Sequence, residues 1–307
     1  MNHIYNVDWH ATDRCNLNCA SCGHFSCLVD QNDNSSDRTC QQAEEDLFEL
    51  YRVSNNGEYI DHLTITGGEC TLNKDLPEIL EIANKYFPNK ISIYTNVINK
   101  NLYTNELMKT LETLNITFEC TLYYNKSIDI FNELQNKYQN IKFVRYGLYE
   151  YDAENYFCNC FFTKDRIKNI DDGICNSKYL CCQLKDKKIY PCQYCGYINY
   201  FFTKFGAYYK DILEYNEDEA SINLQEIDSY EELYEYLFSF DFKNKFCKHC
   251  IDKWKKSLPE YGDEIGRTKH HISNKTIDEY VTENVEDVLY KSYCNNVLTK
   301  KFSINTY

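Results

Sequence analysis

Through the first half of the chain, short runs that alternate apolar and polar residues, as in VDWHA, give way to longer stretches whose apolar residues return every three or four positions, as in AEEDLFELYRV. The first period is that of a half-buried strand, the second that of a helix with one apolar face. Strands are predicted at 5–11, 62–66, 91–95, 117–122 and 142–146, and helices at 41–53, 76–86, 105–114 and 128–138. Strand and helix in turn are the pattern of parallel βα units. Five such strands fall short of the eight that close a barrel. The predicted fold is therefore α/β, a partial (β/α) TIM-like barrel over 1–150.

Beyond 146 the pattern changes. Residues 149–162 are aromatic and acidic, and 175–196 read as a Cys-rich β-hairpin whose turn, at Asp186 and Lys187, lacks the Gly that favours such turns. A smaller Cys-rich C-terminal domain is expected over 151–260, with a helical tail over 261–307. Helices are predicted at 231–238 and 277–290.

Alternation also sorts the strand residues by face. If Val7, Trp9, Leu63, Ile65 and Ile93 pack on the helices, then Asp8, His10, Thr64, Ser92 and Tyr94 turn inward, and the same parity is read for Glu119, Thr121 and Arg145. A polar lining suits a polar ligand, because buried hydroxyls and charges need partners. Taken singly, each of these residues is better explained by bonding a neighbour. His10 and Glu119 are the candidates for substrate contact.

The chain of 307 residues has a net charge of -14 and no Lys/Arg run that would make a basic stripe, which disfavours nucleic acid and anionic membranes as partners. No segment approaches the roughly 20 apolar residues of a membrane span, and the first eight residues do not read as a leader, so a cytoplasmic protein is expected. Seventeen Cys in close groupings, in a long chain, point to metal ligation in a reducing compartment and away from a disulfide scaffold. The 29 Tyr carry no functional weight.

Cys15, Cys19 and Cys22 form CxxxCxxC on the loop after the first strand, at the end where βα enzymes place their chemistry. Three thiolates on one loop can hold three irons of a cubane and leave the fourth iron open. Zinc with His24 as a fourth ligand is the competing reading.

The segment DRCNLNCASCGH, followed some forty-five residues later by LTITGGEC, resembles the radical S-adenosylmethionine superfamily. The resemblance implies a 4Fe-4S cluster on Cys15, Cys19 and Cys22 whose open iron takes the amino and carboxylate groups of S-adenosylmethionine. It also implies that Gly67, Gly68 and Glu69 meet the amino group of that cofactor, the glycines by close backbone approach and the carboxylate by a charge-assisted bond. Thr95 and Asn96 stand where the family has a polar pair at the ribose. Gly147 with Glu150 partly echoes a fifth-strand motif. Ser21 occupies a place that is aromatic or aliphatic in the family, so that either Phe25 covers the adenine or the adenine is more exposed. Cys70 replaces a Pro frequent after the Glu.

Farther on, CNSKYLCCQLKDKKIYPC and FCKHC resemble the twitch module, a shortened SPASM domain with one auxiliary 4Fe-4S cluster. That resemblance implies Cys175, Cys192, Cys247 and Cys250 as ligands, with Cys195 past the end of the hairpin. The spacing alone also allows a zinc ribbon on Cys192, Cys195, Cys247 and Cys250. Cys158, Cys160, Cys181 and Cys182 read as small hydrophobes or unused thiols.

The resemblance implies reductive cleavage of S-adenosylmethionine and abstraction of hydrogen from a substrate C–H bond. A reducing donor such as flavodoxin or ferredoxin would supply the electron. An auxiliary cluster favours dehydrogenation of an alcohol, whereas epimerisation asks for a hydrogen donor such as Cys70 or Cys120. With the cluster loop starting fourteen residues into the sequence, a preceding peptide-recognition domain is not expected, and a small polar, sugar-like substrate is. Modification of a ribosomal peptide is the alternative, and a non-catalytic zinc-binding module is the alternative of another class.

Overall fold

The computed structural model describes residues 3–17, 19, 22–122, 125–147, 162–164, 181–239, 245–250 and 281–282. Five strands, β1 (Val7–Thr12), β2 (Leu63–Gly67), β3 (Ile91–Thr95), β4 (Thr117–Leu122) and β5 (Phe143–Gly147), alternate with four helices, α1 (Cys40–Val53), α2 (Leu76–Tyr86), α3 (Asn105–Thr113) and α4 (Asn125–Lys137). They match the predicted βα units to within two or three residues. Local chemistry sets the helix starts. Thr39 caps α1 in a reciprocal box with Gln42, Thr104 accepts from the amide of Leu107 at the head of α3, and Pro77 opens α2 where a missing N–H costs nothing.

The second half of the chain continues the same sheet. After β6 (Phe162–Thr163) come β7 (Cys182–Lys185) and β8 (Lys188–Tyr190), then α5 (Gln193–Phe205), α6 (Tyr209–Ile212), α7 (Glu217–Ala220), β9 (Ile222–Asn223), α8 (Tyr230–Ser239) and β10 (Val281–Thr282). The eight-stranded sheet runs β5-β4-β3-β2-β1-β7-β8-β9, parallel from β5 to β7 and antiparallel beyond, and it does not close. β7 pairs with β1 in parallel, Val7 opposite Cys182 and Trp9 opposite Leu184, so the Cys-rich segment lies directly beside the strand that feeds the cysteine loop.

Two apolar clusters hold these layers. The larger joins Val7, Trp9, Leu63, Ile65, Ile93, Phe118 and Cys120 of the strands to Leu47, Leu50, Ile79, Leu80, Met108, Leu111 and Leu134 of α1 to α4. The smaller is aromatic, gathering Phe25, Phe162, Tyr194, Tyr197, Phe201, Tyr215 and Phe246 around α5. Among the described residues no helix is long and apolar enough to cross a membrane.

Three readings of the sequence need correction. Residues 193–205, whose start was taken as the end of the hairpin, form a 13-residue helix: the run of Tyr, Ile and Phe that mimics a strand is here an apolar helix face buried on the aromatic cluster. Within the helix predicted at 277–290, residues 281–282 form a strand paired with β6, and the rest lies outside the described residues. Arg145 pairs opposite Cys120 and lies over the ring of Phe131 on α4, so it faces the helices and not the interior.

The hairpin turn falls at Asp186 and Lys187 as predicted, and both have positive φ, 51° and 59°. Without Gly that conformation is strained, and contacts from α1 offset the strain. Asp46, buried, accepts the amide of Lys187 at 2.7 Å on one oxygen and the indole N–H of Trp9 at 2.9 Å on the other. Asp46→Ala leaves two donors without an acceptor, one of them on a fully buried Trp, and is expected to lower stability by about 2 kcal/mol in urea unfolding. A loss below about 0.5 kcal/mol would show that the turn does not depend on it.

Candidate functional site

The chemistry converges where β1 and β2 end. The amide of Gly68 donates to the carbonyl of Thr12 at 3.0 Å and that of Glu69 to the carbonyl of Arg14 at 2.8 Å, which joins the Gly-Gly-Glu segment to the start of the cysteine loop. The approach is too close for a side chain. A Cβ on Gly67, whose φ is +148°, would lie 2.0 Å from the Thr12 carbonyl oxygen, and one on Gly68 would lie 2.2 Å from that of Arg14. These glycines therefore make room for the loop backbone itself.

Glu69 is thereby held in the interior beside the cysteine loop. One carboxylate oxygen accepts from Thr71, through both amide and hydroxyl, and from the hydroxyl of Thr95 at 2.6 Å; the other accepts from the amide of Asn96 at 2.8 Å. Of about four lone-pair positions on a carboxylate, one on the second oxygen remains. Among the described residues no Lys or Arg pairs with it. Burial pushes its pKa up, and the hydrogen bonds work against that push. A buried carboxylate with a spare acceptor position and no cation fits an ammonium ligand. Thr95 and Asn96 hold Glu69, and Asn96 also donates to Asn16 at 2.7 Å and lies 3.8 Å from the sulfur of Cys15.

The loop itself is clamped. Arg14 grips Asp37 through two nitrogens, at 2.9 and 2.7 Å, and reaches the carbonyls of Gln31 and Leu72, while the Gln31 side chain accepts the amide of Cys15 at 3.1 Å. Cys15, Cys19 and Cys22 lie within one another's field. Burial raises all three thiols, Cys19 to about 12; at Cys15 the Glu69 carboxylate adds to it, and at Cys19 the neighbouring Cys22 and Cys27 do. Amides of Ser26, His24 and Cys27 offset part of the rise at Cys22. Desolvated thiols that keep their protons in the free protein lose them to solvent when a metal binds the sulfur, so this donor set fits a thiolate-held cluster. Among the described residues no three His, Cys, Asp or Glu side chains converge on a point that could hold a single ion; a cubane takes one thiolate at each iron and spreads its ligands around a body. Cys27 was missed in the sequence, where its four-residue spacing from Cys22 matched no motif.

Other candidates fall elsewhere. Phe25 is fully buried among Phe162, Tyr194 and Phe201, with no face left for an adenine ring. Cys70 and Cys120 lie in the large apolar cluster, their sulfurs against the carbonyls of Tyr94 and Val144: strand parity sends Cys120 to the helix side, and the short helical turn after Glu69 does the same for Cys70. His10 is buried with both ring nitrogens occupied, Nδ1 by Asp13 at 2.6 Å and Nε2 by His24, so it supports the loop and does not reach a substrate.

Glu119 does face inward. Burial tends to raise its pKa, but hydrogen bonds with His62, Tyr146 and Ser92 hold it below the usual value, so it stands there as a carboxylate. Its neighbours are His62 at 3.5 Å and Tyr146 at 3.0 Å; His62 also bonds Ser92 at 2.8 Å, and Tyr94 bonds Thr121. Deeper, Asp8 takes hydrogen bonds from Asn6 at 2.7 Å and Gln183 at 2.9 Å, and burial pushes its pKa up to about 6. His62, Tyr146 and Gln183 were not singled out in the sequence, because each belongs to this lining only through a neighbour on another strand.

A second thiol group sits at the head of α5. The sulfurs of Cys192 and Cys195 lie 3.6 Å apart, and Cys195, fully buried, feels the charges of Cys192, Cys247 and Cys250. All four pack on the aromatic cluster, and Cys250 bridges Phe162 in an antiparallel pair. Cys175 lies outside the described residues, as do Cys158, Cys160, Gly147's companion Glu150 and Cys294.

Comparison with known proteins adds a family match. Residues 9–141 match the model of the 4Fe-4S single cluster domain. No curated protein matches the sequence. Among solved structures, BtrN in complex with AdoMet and 2-DOIA is 14% identical, with 80% of this chain and 89% of that one covered and a TM-score of 0.45. Native anSMEcpe with bound AdoMet is 14% identical over 96% and 98% of the two chains, with a TM-score of 0.42. Streptococcus suis SuiB bound to S-adenosylmethionine is 13% identical over 85% and 76%, with a TM-score of 0.39. The matched segment holds the cysteine loop, the Gly-Gly-Glu contact and the first four strands. Residues 9–141 are thus similar to the 4Fe-4S single cluster domain, and the motif pair they carry resembles that of the radical S-adenosylmethionine superfamily.

Proposed function

We propose that this protein is a radical S-adenosylmethionine enzyme that oxidises a small polar substrate, a sugar-like alcohol by the chemistry of its lining. The observation that carries the reading is Glu69: a buried carboxylate with no Lys or Arg partner among the described residues, fixed beside the cysteine loop by two backbone hydrogen bonds that only glycines permit. Bound at Cys15, Cys19 and Cys22, the cluster would supply reductive cleavage of S-adenosylmethionine and, from it, a radical able to take hydrogen from an unactivated C–H bond. Glu69 would orient the cofactor through its amino group. The inner face, with Glu119, His62, Tyr146, Tyr94 and Thr121, would hold substrate hydroxyls, and the Glu119–His62 pair is placed to accept a hydroxyl proton.

Oxidation is favoured over epimerisation by the placement of Cys70 and Cys120, the two thiols named as hydrogen donors, on the helix side of the sheet. The second thiol group would hold an auxiliary iron–sulfur centre to receive an electron. Its closest described pair is Cys192 with Cys195, and so we include Cys195 with Cys192, Cys247 and Cys250 in the ligand set, where the twitch resemblance has Cys175. A flavodoxin- or ferredoxin-like donor completes the system.

Three measurements test this. Anaerobically reconstituted and reduced protein is expected to bind about four irons at the first site, to hold further metal at the second and to release 5'-deoxyadenosine from S-adenosylmethionine; replacing Cys15, Cys19 and Cys22 by Ala should abolish release and leave the second metal. Zinc with negligible iron under those conditions would falsify the proposal. Glu69→Gln, which removes charge but keeps shape, should weaken S-adenosylmethionine binding roughly ten- to hundredfold, the 1.5 to 3 kcal/mol of a charge-assisted bond; an unchanged affinity would make the segment an ordinary turn. Finally, Cys195→Ala in the background lacking Cys15, Cys19 and Cys22 should strip or degrade the second metal, read as iron and zinc content. Full retention would return the fourth ligand to Cys175.

A further inference from the structure

One helix touches both thiol groups. Gln193, Tyr197 and Tyr200 of α5 follow one another at four and three residues, which puts them on a single stripe, and all three meet the cysteine loop or its footing. The Gln193 side-chain amide lies 3.0 Å from Nε2 of His24, two residues beyond Cys22. The ring of Tyr197 stacks on His10 at 3.9 Å and 9°, and His10 stacks on His24 at 4.5 Å and 12°. Tyr200 donates its hydroxyl to Asp13, which also holds His10. Gln193 is pressed flat against the loop: a Cβ on Gly23 would lie 2.3 Å from its amide nitrogen.

The first turn of the same helix carries Cys192 and Cys195. Cys192 is its N-cap residue and makes no side-chain cap bond, so the turn that positions Gln193 lacks the usual device against fraying. Ligation of Cys192 and Cys195 by one metal centre would fix that turn, because it ties the cap residue to the residue three positions on.

We propose that metal at Cys192 and Cys195 locks the first turn of α5 and thereby, through Gln193 and His24, the cysteine loop, so that filling the second site strengthens S-adenosylmethionine binding at the first. Gln193 is the positioning residue of this link. The inference rests on the functional reading above and adds to it a defined coupling between the two sites, reciprocal as any such coupling must be.

The test is a double-mutant cycle on the full-length, anaerobically reconstituted protein. Unaltered protein, C192A/C195A, Q193L and the triple variant are compared for metal content, for S-adenosylmethionine Kd by equilibrium dialysis, and for the change in the reduced first cluster's paramagnetic resonance spectrum when S-adenosylmethionine is added. C192A/C195A should keep about four irons yet bind S-adenosylmethionine about tenfold more weakly, within the usual range of coupling between sites. Q193L should keep all its metal and show the same loss and the same altered spectrum, and the triple variant should be no worse than either. An unchanged Kd in C192A/C195A, or losses that multiply in the triple variant, would overturn the link. If C192A/C195A does not fold, Q193L decides alone, since unchanged affinity and spectrum with full metal leave no role for the helix. Protein that binds no S-adenosylmethionine in its unaltered form overturns the functional reading itself, and the link with it.

Discussion

Two stretches of backbone meet with no room for a side chain between them, and the site depends on that contact. Gly67 and Gly68 run against the carbonyls of Thr12 and Arg14 with no space for a Cβ, and two amide hydrogen bonds lock the contact. Everything of chemical interest at the first site is placed by that contact. It brings Glu69 inside, where Thr71, Thr95 and the Asn96 amide fix both oxygens, and it sets the start of the loop that presents Cys15. Arg14 and Asp37 then hold the loop from outside. Because the glycines serve the protein's own backbone, their requirement precedes any ligand.

The continuity of the sheet has a similar consequence. β7 joins β1 in parallel, so the Cys-rich half of the chain is assembled on the strand that feeds the cysteine loop. The strained turn that follows β7 leans on Asp46 of α1, which also holds Trp9 of β1. The aromatic cluster around α5 takes in Phe25 from the loop and Phe162 and Phe246 from the later segments. The two thiol groups are thus parts of one packing arrangement, and α5 touches both.

Polar groups are distributed with a matching logic. Burial raises the proton affinity of the thiols and of Glu69 at the first site, and the Glu69 carboxylate adds to it at Cys15, which leaves the site suited to positive ligands, metal and ammonium. The inner face of the sheet is instead a chain of mutually bonded neutral and acidic groups, from Asp8 and Asn6 to Glu119 and Tyr146. On the proposed reading such a face would recognise hydroxyls by exchanging bonds with them, at its more exposed end formed by Glu119, His62 and Tyr146.

Much of this was legible in the residues. Strand and helix periods placed four βα units and a fifth strand, parity sent Trp9 outward and Glu119 inward, and CxxxCxxC with Gly-Gly-Glu named the site, because each of these signals is local and survives in the linear order. Where the reading failed, a local signal met a nonlocal decision. Phe25 looked like a cover for a ring until Phe162, Tyr194 and Phe201, distant in sequence, enclosed it. Residues 193–196 read as the end of a Cys-rich hairpin, and burial of one apolar face makes them the first turn of a helix that runs to Phe205. Cys195 is expected past the end of the hairpin; it lies there, on α5, with its sulfur 3.6 Å from that of Cys192. The sequence by itself determined the types of donor and the order of the elements, since these depend on composition and period. Only the tertiary structure decided which donors share a site, because burial and strand pairing between distant segments choose the partners of each side chain.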